Sequence, residues 1–343
     1  MALLTETPAR TPSSAAGGWS NPSVRYAIKR TGAALSTFIF VLIFNFFLFR
    51  ILPGDPVALY TRGRNVDPES IRALEAKLHR PIGQQFLEYV KNPFTGNGPS
   101  VKYNASVWEV IAPALWPTLL LVGTATLIAT IVGVWLGIRS GWSRGERFDV
   151  VSTNTTLVLY SMPEFWFGMI MLIVFAVGIG PIPGMFPTGG LSDPGVNTST
   201  PAGWLNVAWH LFLPVTTLAV IYLAEYSLIM RASIIEERGQ DYVQTARAKG
   251  LMDKMVRREH AVPNALLPTM TLVFLNLGFV VGGAITIEYV YSIHGLGSLT
   301  VDALQGPDVP LLQALFLLFS GAVIFANLVA DLLYGYFDPR VRT

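Results

Sequence analysis

Six stretches of the chain are apolar, and uncharged or nearly so, for long enough to cross about 30 Å of hydrocarbon, a distance that takes about 20 residues of helix. They lie within residues 31–49, 111–138, 150–179, 210–230, 261–287 and 309–330. All are rich in Leu, Ile, Val, Phe and Ala, and none shows the roughly ten-residue alternating segments of a membrane barrel. The pattern therefore predicts helices. The third run is interrupted by Pro163-Glu164, and the fourth carries Glu225 inside it. The predicted fold is an all-α integral membrane protein with six transmembrane helices.

Basic residues set the orientation. Arg10, Arg25, Lys29 and Arg30 precede the first run, and Arg139, Arg144 and Arg147 separate the second from the third. Seven more basic residues, from Arg231 to Arg258, fall between the fourth and fifth, and Arg340 and Arg342 follow the sixth. The segments 180–209 and 288–308 hold no Lys or Arg. Segment 51–110 has seven basic and six acidic residues, but at about 60 residues it sits at the limit of the rule. Both termini are expected in the cytoplasm. Residues 1–28, rich in Ser, Pro, Gly and Ala, are expected to form a disordered tail, and residues 29–343 the membrane domain. The first run is too long for a cleaved signal, so an uncleaved anchor is expected.

Composition agrees. Charged residues make up 13% of the 343, against roughly 25% in an ordinary soluble domain, while hydrophobic residues reach 52%. A net charge of +2 excludes a strongly basic nucleic-acid binder. Zero cysteines exclude disulfides, thiolate metal sites and cysteine nucleophiles.

Two extramembrane pieces carry pattern. In the external insertion, 53–110, Asp67-Pro68 reads as a helix start. Ile71, Leu74 and Leu78 then follow at helical spacing, and Phe86, Tyr89 and Val90 suggest a second helix. This piece reads as an amphipathic cap on the bundle or as a docking surface for an external partner. In the cytoplasmic loop 231–263, Asp241 reads as an N-cap with Gln244 at capping-box spacing. Tyr242, Val243 and Ala246 are expected on one face, with Gly250 ending the helix and Asp253 capping a second one. By pattern alone this is either a basic helix resting on anionic headgroups or a protein contact.

Gln244-Thr245-Ala246-Arg247-Ala248-Lys249-Gly250, nine residues, then His260-Ala261-Val262-Pro263 resembles the "EAA" loop of permease subunits in binding-protein-dependent ABC importers. Ala246, Gly250 and Pro263 fall on its pattern, whereas Gln244, Thr245, His260 and Val262 depart from it. Other segments resemble the B-type subunits of the dipeptide and oligopeptide branch. These are Leu52-Pro53-Gly54-Asp55-Pro56, Ser161-Met162-Pro163-Glu164-Phe165, Glu288-Tyr289-Val290-Tyr291-Ser292 with Gly295-Leu296-Gly297, and Asp338-Pro339-Arg340. Gly96-Asn97-Gly98-Pro99-Ser100 departs from the family's usual Gly-Asp-Leu-Gly.

The resemblance implies a permease of a bacterial inner membrane, importing dipeptides or oligopeptides. It implies a homologous second permease as heterodimer partner, two cytoplasmic ABC ATPases and an external substrate-binding protein. Asp241, Tyr242, Val243, Gln244, Thr245, Ala246, Arg247, Ala248, Lys249, Gly250 and Pro263 are then the expected ATPase-coupling residues. Relatives of such importers also move nickel complexes, haem, glutathione or oligosaccharides.

No Gly-x-x-x-x-Gly-Lys-[Ser/Thr] occurs, so ATP hydrolysis is expected on separate subunits. His79, His210, His260 and His294 are scattered without ligand spacing, and neither a metal nor a cofactor is expected. Glu164 and Glu225 are candidate pathway residues, because carboxylates within membrane helices are costly and default to function. Asp331 is expected at the inner interface. Asn45 and Asn276 suit interhelical hydrogen bonds. Gly133-x-x-x-Gly137 and Gly278-x-x-x-Gly282 suit close helix approach. A secondary transporter or channel, and an intramembrane enzyme using Glu164 and Glu225 as paired acids, are the rival readings.

Overall fold

The computed structural model describes residues 22–51, 69, 72, 76, 80–93, 99–100, 102–280, 285–306 and 308–337. The Pro53–Pro56 motif, Asp67-Pro68 with Ile71, Leu74 and Leu78, Gly282, and the terminal Asp338-Pro339-Arg340 lie outside them.

The described residues are mostly helical. The helices are α1 (Pro22–Ile51), α2 (Ile82–Lys91), α3 (Val107–Trp142), α4 (Arg147–Tyr160), α5 (Glu164–Met171), α6 (Pro201–Arg238), α7 (Asp241–Ala248), α8 (Asp253–Met255), α9 (Val262–Val280), α10 (Ile285–Val290), α11 (Leu296–Gln305) and α12 (Val309–Phe337). Wide π-type turns extend α5 through Leu172–Val177 and lead into α9 through Val256–Ala261. A two-residue hairpin pairs Gly178–Ile179 with Ile182–Pro183.

Among the described residues, four helices, α1, α3, α6 and α12, are long and apolar enough to span a membrane, and α4 with the extended α5 forms a fifth candidate bent by 100°. The bend falls where the sequence breaks, with Pro163 in extended conformation ahead of α5. Proline biases the residue before it away from helix, so the chain turns there. The apolar run 261–287 gives α9, of 19 residues, and then the short α10.

The first helix begins at Pro22, so residues 22–28, expected in a disordered tail, are helical. Proline suits a first turn, whose N–H groups have no helical partner. The start is also tied down, since Tyr26 donates to the Asp331 carbonyl at 3.2 Å and Arg30 pairs with the Asp331 carboxylate at 3.1 Å.

α3 and α6 are the spine. At 1.5 Å per residue, their 36 and 38 residues make rods of about 54 and 57 Å, well beyond the hydrocarbon thickness. Gly133, Gly137 and Gly141 recur every fourth residue on α3 and face α6. A Cβ on Gly133 would stand 2.8 Å from the Leu223 carbonyl oxygen, and one on Gly141 2.8 Å from that of Arg231. Only hydrogen fits between the rods, so their backbones nearly touch. Arg231 of α6 then grips Asp149 of α4 through two bonds of 2.5 and 2.9 Å.

Helix α2 forms as the pattern of Phe86 and Tyr89 predicts. Tyr89 is fully buried against Phe46 of α1 and Leu317 of α12. The Asn45 amide donates to the Tyr89 phenol at 3.1 Å and to the Gln313 carbonyl at 2.9 Å, the interhelical role expected of it.

Candidate functional site

α6 ends at Arg238, and Gly239 and Gln240 turn the chain into α7. Gln240 is the extended residue before the helix, and Asp241 is already helical, so the predicted Asp241 cap is displaced by one residue. A capping side chain must sit on the extended residue, and Gln240 makes no such bond. Asp241 still places a negative charge in the first turn, where the helix dipole favours it. Gln244 reaches back to the Arg238 carbonyl at 3.2 Å rather than to a cap N–H.

The end of α7 matches expectation. Gly250 adopts φ +80°, and its N–H bonds the Arg247 carbonyl at 2.9 Å, while the Leu251 N–H reaches the Ala246 carbonyl at 3.4 Å. This pair of bonds is a Schellman turn, which accepts glycine because a left-handed residue with a Cβ is strained. Leu251 closes it by packing on the apolar cluster of Val243, Ala246, Val256 and Ala261.

The face of α7 is divided differently from the predicted one. Val243 and Ala246 are buried inward, but Tyr242 is exposed with Asp241, Gln244, Thr245, Ala248, Lys249 and Gly250. The Tyr242 phenol donates to the Glu237 carboxylate and accepts from Asn264 at 2.8 Å. Partial burial, reinforced by Glu237, raises this phenol above its ordinary range, so it stays neutral. Met252, 70% exposed, extends the outer face past the turn. Arg247 is half-buried.

Pro263 is exposed at the start of α9, directly after the wide turn. It has no N–H for the carbonyl four residues back, which suits a place where the ladder has already loosened. Asp253, expected as a cap, follows the extended Met252 and is the first residue of α8. Its carboxylate accepts instead from the Trp142 indole N–H at 2.6 Å and pairs with Arg247 at 3.4 Å. Sequence reading missed Trp142. The available signal was a tryptophan just past the C-terminal end of an apolar run, among Arg139, Arg144 and Arg147.

Glu164 and Glu225, far apart in sequence, lie on two helices that pack against each other, α5 and α6. Glu164 begins α5, which also packs against α10. Asn276 of α9 donates to the Tyr226 phenol at 2.9 Å and to Glu225 at 3.4 Å. Asp331 sits toward the C-terminal end of α12 against Arg30. The one carboxylate of the Glu288-Tyr289-Val290-Tyr291-Ser292 motif is fully buried. Glu288 accepts from the Thr118 hydroxyl at 2.6 Å and the Ser298 N–H at 3.0 Å, which pins α10 and the start of α11 to α3. Among the described residues, no group of three or more His, Asp or Glu is placed to hold a metal ion.

Residues 129–343 match the family model described as "Binding-protein-dependent transport system inner membrane component", and residues 23–119 match that of the N-terminal membrane component of the same systems. The chain is 34% identical over 335 residues to the dipeptide transport system permease protein DppB of Escherichia coli K12, an alignment covering 93% of this chain and 99% of that one. It is 35% identical over 332 residues to the di/tripeptide transport system permease protein DppB of Pseudomonas aeruginosa, covering 92% and 98%. It is 33% identical over 331 residues to DppB of Alkalihalophilus pseudofirmus, covering 92% and 99%. A chain whose two long rods carry a short, outward-facing helix, and whose length these matches account for, belongs to the family of inner-membrane permease components of binding-protein-dependent ABC transport systems.

Proposed function

We propose that this chain is one permease of an ATP-driven importer of dipeptides or oligopeptides, and that α7 is the element through which it is driven. The observation that carries this is the exposed α7 face, ended by the Gly250 turn and mounted on the inner ends of α3 and α6. A short rigid helix held clear of the membrane on two long rods is suited to receive a push and to pass it on.

In this reading six helices span a bacterial cytoplasmic membrane with both termini inside, α9 providing the fifth crossing. A homologous permease completes the path as a heterodimer. Two cytoplasmic ATPases seat against the α7 helices, and an external binding protein delivers the peptide. Asp241, Tyr242, Gln244, Thr245, Ala248, Lys249 and Gly250 meet the ATPase. Val243, Ala246, Arg247 and Pro263 hold that face in place. This chain performs no catalysis and uses no cofactor. Closure of the ATPases on ATP moves the α7 pair and rocks the permeases between outward- and inward-open states. Glu164 and Glu225 contribute to the path, because they lie on the packed helices α5 and α6 and Glu225 has a polar neighbour in Asn276 of α9.

The test is uptake of a labelled dipeptide by vesicles holding both permeases and both ATPases. Uptake is expected only with ATP and binding protein, and Glu164→Gln combined with Glu225→Gln is expected to lower it. Uptake by this chain alone without ATP would refute the reading in favour of a secondary transporter. Failure of unlabelled dipeptide to compete, against competition by a nickel complex or an oligosaccharide, would replace only the cargo.

Topology is checked separately in this natively cysteine-free chain. Cysteines at Asp193 (61% exposed) and Leu304 (57%) are expected to label in intact cells, and one at Lys249 only after permeabilisation. Asp308 is unsuitable, because it is fully buried and accepts from Ser100, Lys102 and the Leu311 N–H. Labelling of Lys249→Cys from outside would overturn the orientation.

A further inference from the structure

Trp142 is the last residue of α3, and its side chain stands where three elements of the cytoplasmic loop meet. The Arg238 guanidinium, at the end of α6, lies 5.4 Å from the ring centroid, and that of Arg247, on α7, lies 5.3 Å from it. The indole N–H donates to Asp253 of α8 at 2.6 Å, and Asp253 in turn holds Arg247. Arg238 also donates to the Trp142 carbonyl at 2.5 Å and to that of Gly141 at 3.4 Å, which satisfies the open end of α3.

The ring packs on two separate apolar clusters. One is the loop core of Val243, Ala246, Val256 and Ala261. The other is Met230, Ile234 and Ala265, where α6 meets α9 inside the bundle. Trp142 is the one described side chain packed against both. The Schellman turn and the loop core give α7 its shape, and Tyr242 ties it by hydrogen bonds to Glu237 of α6 and Asn264 of α9. Trp142 joins the loop core to the cluster inside the bundle by apolar packing. Two cations on one indole, with a charged acceptor on its N–H, make a joint that resists shear in more than one direction.

We propose that Trp142 is the positioning residue that couples α7 to the α3–α6 rods, so that a displacement of α7 becomes a displacement of the bundle rather than a local hinge motion. The inference rests on the assignment of α7 as the driven element, and it adds the residue through which the drive passes. Without the indole, α7 keeps its turn, its outward face and the Tyr242 hydrogen bonds, but loses the packed joint to the bundle and yields under load. Docking of the ATPases is then retained and the work is lost.

The experiment compares Trp142→Ala, Trp142→Phe and wild type in the full complex of two permeases, two ATPases and binding protein. Three quantities are read in the same vesicles: ATPase recruitment by pull-down, ATP hydrolysis, and peptide uptake per ATP hydrolysed. Trp142→Ala is expected to recruit ATPase within about twofold of wild type and to lower uptake per ATP by about tenfold, inside the 5- to 150-fold range typical of coupling between sites. Trp142→Phe keeps a ring under both guanidiniums but loses the bond to Asp253, and is expected to restore more than half of the lost coupling. Recruitment falling in step with uptake in Trp142→Ala would mean that the indole merely keeps the loop folded. Unchanged uptake per ATP would likewise overturn the proposal. A cysteine at Lys249, cross-linked to the ATPase in otherwise wild-type complex, separates the two levels. If that cross-link does not form, the α7 assignment itself fails, whatever Trp142 does.

Discussion

Gly250→Asp is expected to leave the membrane helices inserted and to abolish ATPase recruitment and uptake. Gly250 has φ +80°, and a Cβ built on it meets nothing within 4 Å. Sterics inside this chain therefore do not oppose the side chain, and the intrinsic cost is the left-handed backbone, about 1 kcal/mol. That is too little to unfold a loop whose Val243, Ala246, Val256 and Ala261 are buried together. What changes is the exposed tip, where a carboxylate is set beside Lys249 on the face offered to the partner. A misplaced charge at an interface costs several kcal/mol, and each 1.4 kcal/mol is tenfold in affinity.

Two companions separate the causes. Gly250→Ala adds strain without charge and is expected to weaken recruitment a few-fold. Gly250→Asn adds a polar side chain that tolerates the left-handed region, and is expected to stay nearer wild type than the aspartate. Pull-down of the ATPase from solubilised membranes, at matched permease levels, measures all three. Normal recruitment by Gly250→Asp would defeat the assignment of this face. Ala246→Asp is a poor docking probe, since Ala246 is only 3% exposed and the carboxylate would be forced among apolar neighbours. If the loop instead rested on lipid headgroups, neutralising the exposed Lys249, Lys254 and Arg258 would do more harm than any change at Gly250.

What could be read from the chain divides along physical lines. Apolar runs announce membrane helices because length and absence of charge are properties of a single segment, so the rods α1, α3, α6 and α12 were legible. The Gly250 turn was legible for the same reason, being fixed by local backbone geometry. The division of the α7 face was not, because Tyr242, Val243 and Ala246 differ only in what the rest of the loop covers. Nor was the Asp253 contact, since its partner Trp142 lies 111 residues away and no short pattern links an indole to a carboxylate. The Asp241 cap failed by one residue, within the ordinary shift of helix ends. Glu164 and Glu225 stood out singly as costly membrane carboxylates, but the packing of α5 against α6 is a property of no single segment.

Gly137→Ala is the smallest change expected to part the two rods. A Cβ on Gly137 would stand 2.6 Å from the Met230 Cβ, 2.7 Å from the Ser227 carbonyl oxygen and 3.0 Å from the Arg231 N–H nitrogen. Two of those three atoms are backbone, so no rotamer change relieves the contact and α6 itself must move. Opposing this, alanine is the better helix former by about 1 kcal/mol. Overpacking typically costs 1–3 kcal/mol, and a gap of 0.5–1 Å forfeits a quarter to a half of the attraction at every neighbouring contact. The loss is therefore expected to win, because Gly133 and Gly141 lie in the same close seam. The shift also pulls on the Arg231–Asp149 pair and on the Arg238 bonds to the end of α3. Gly123→Ala, on the same helix, supplies the control, since a Cβ there meets nothing within 4 Å. In detergent melts of the assembled complex, Gly137→Ala is expected to unfold several degrees below wild type and Gly123→Ala at or above it. Uptake per ATP should fall only in the former. Equal stability and equal uptake in the two variants would show that α3 and α6 do not work as one rigid unit.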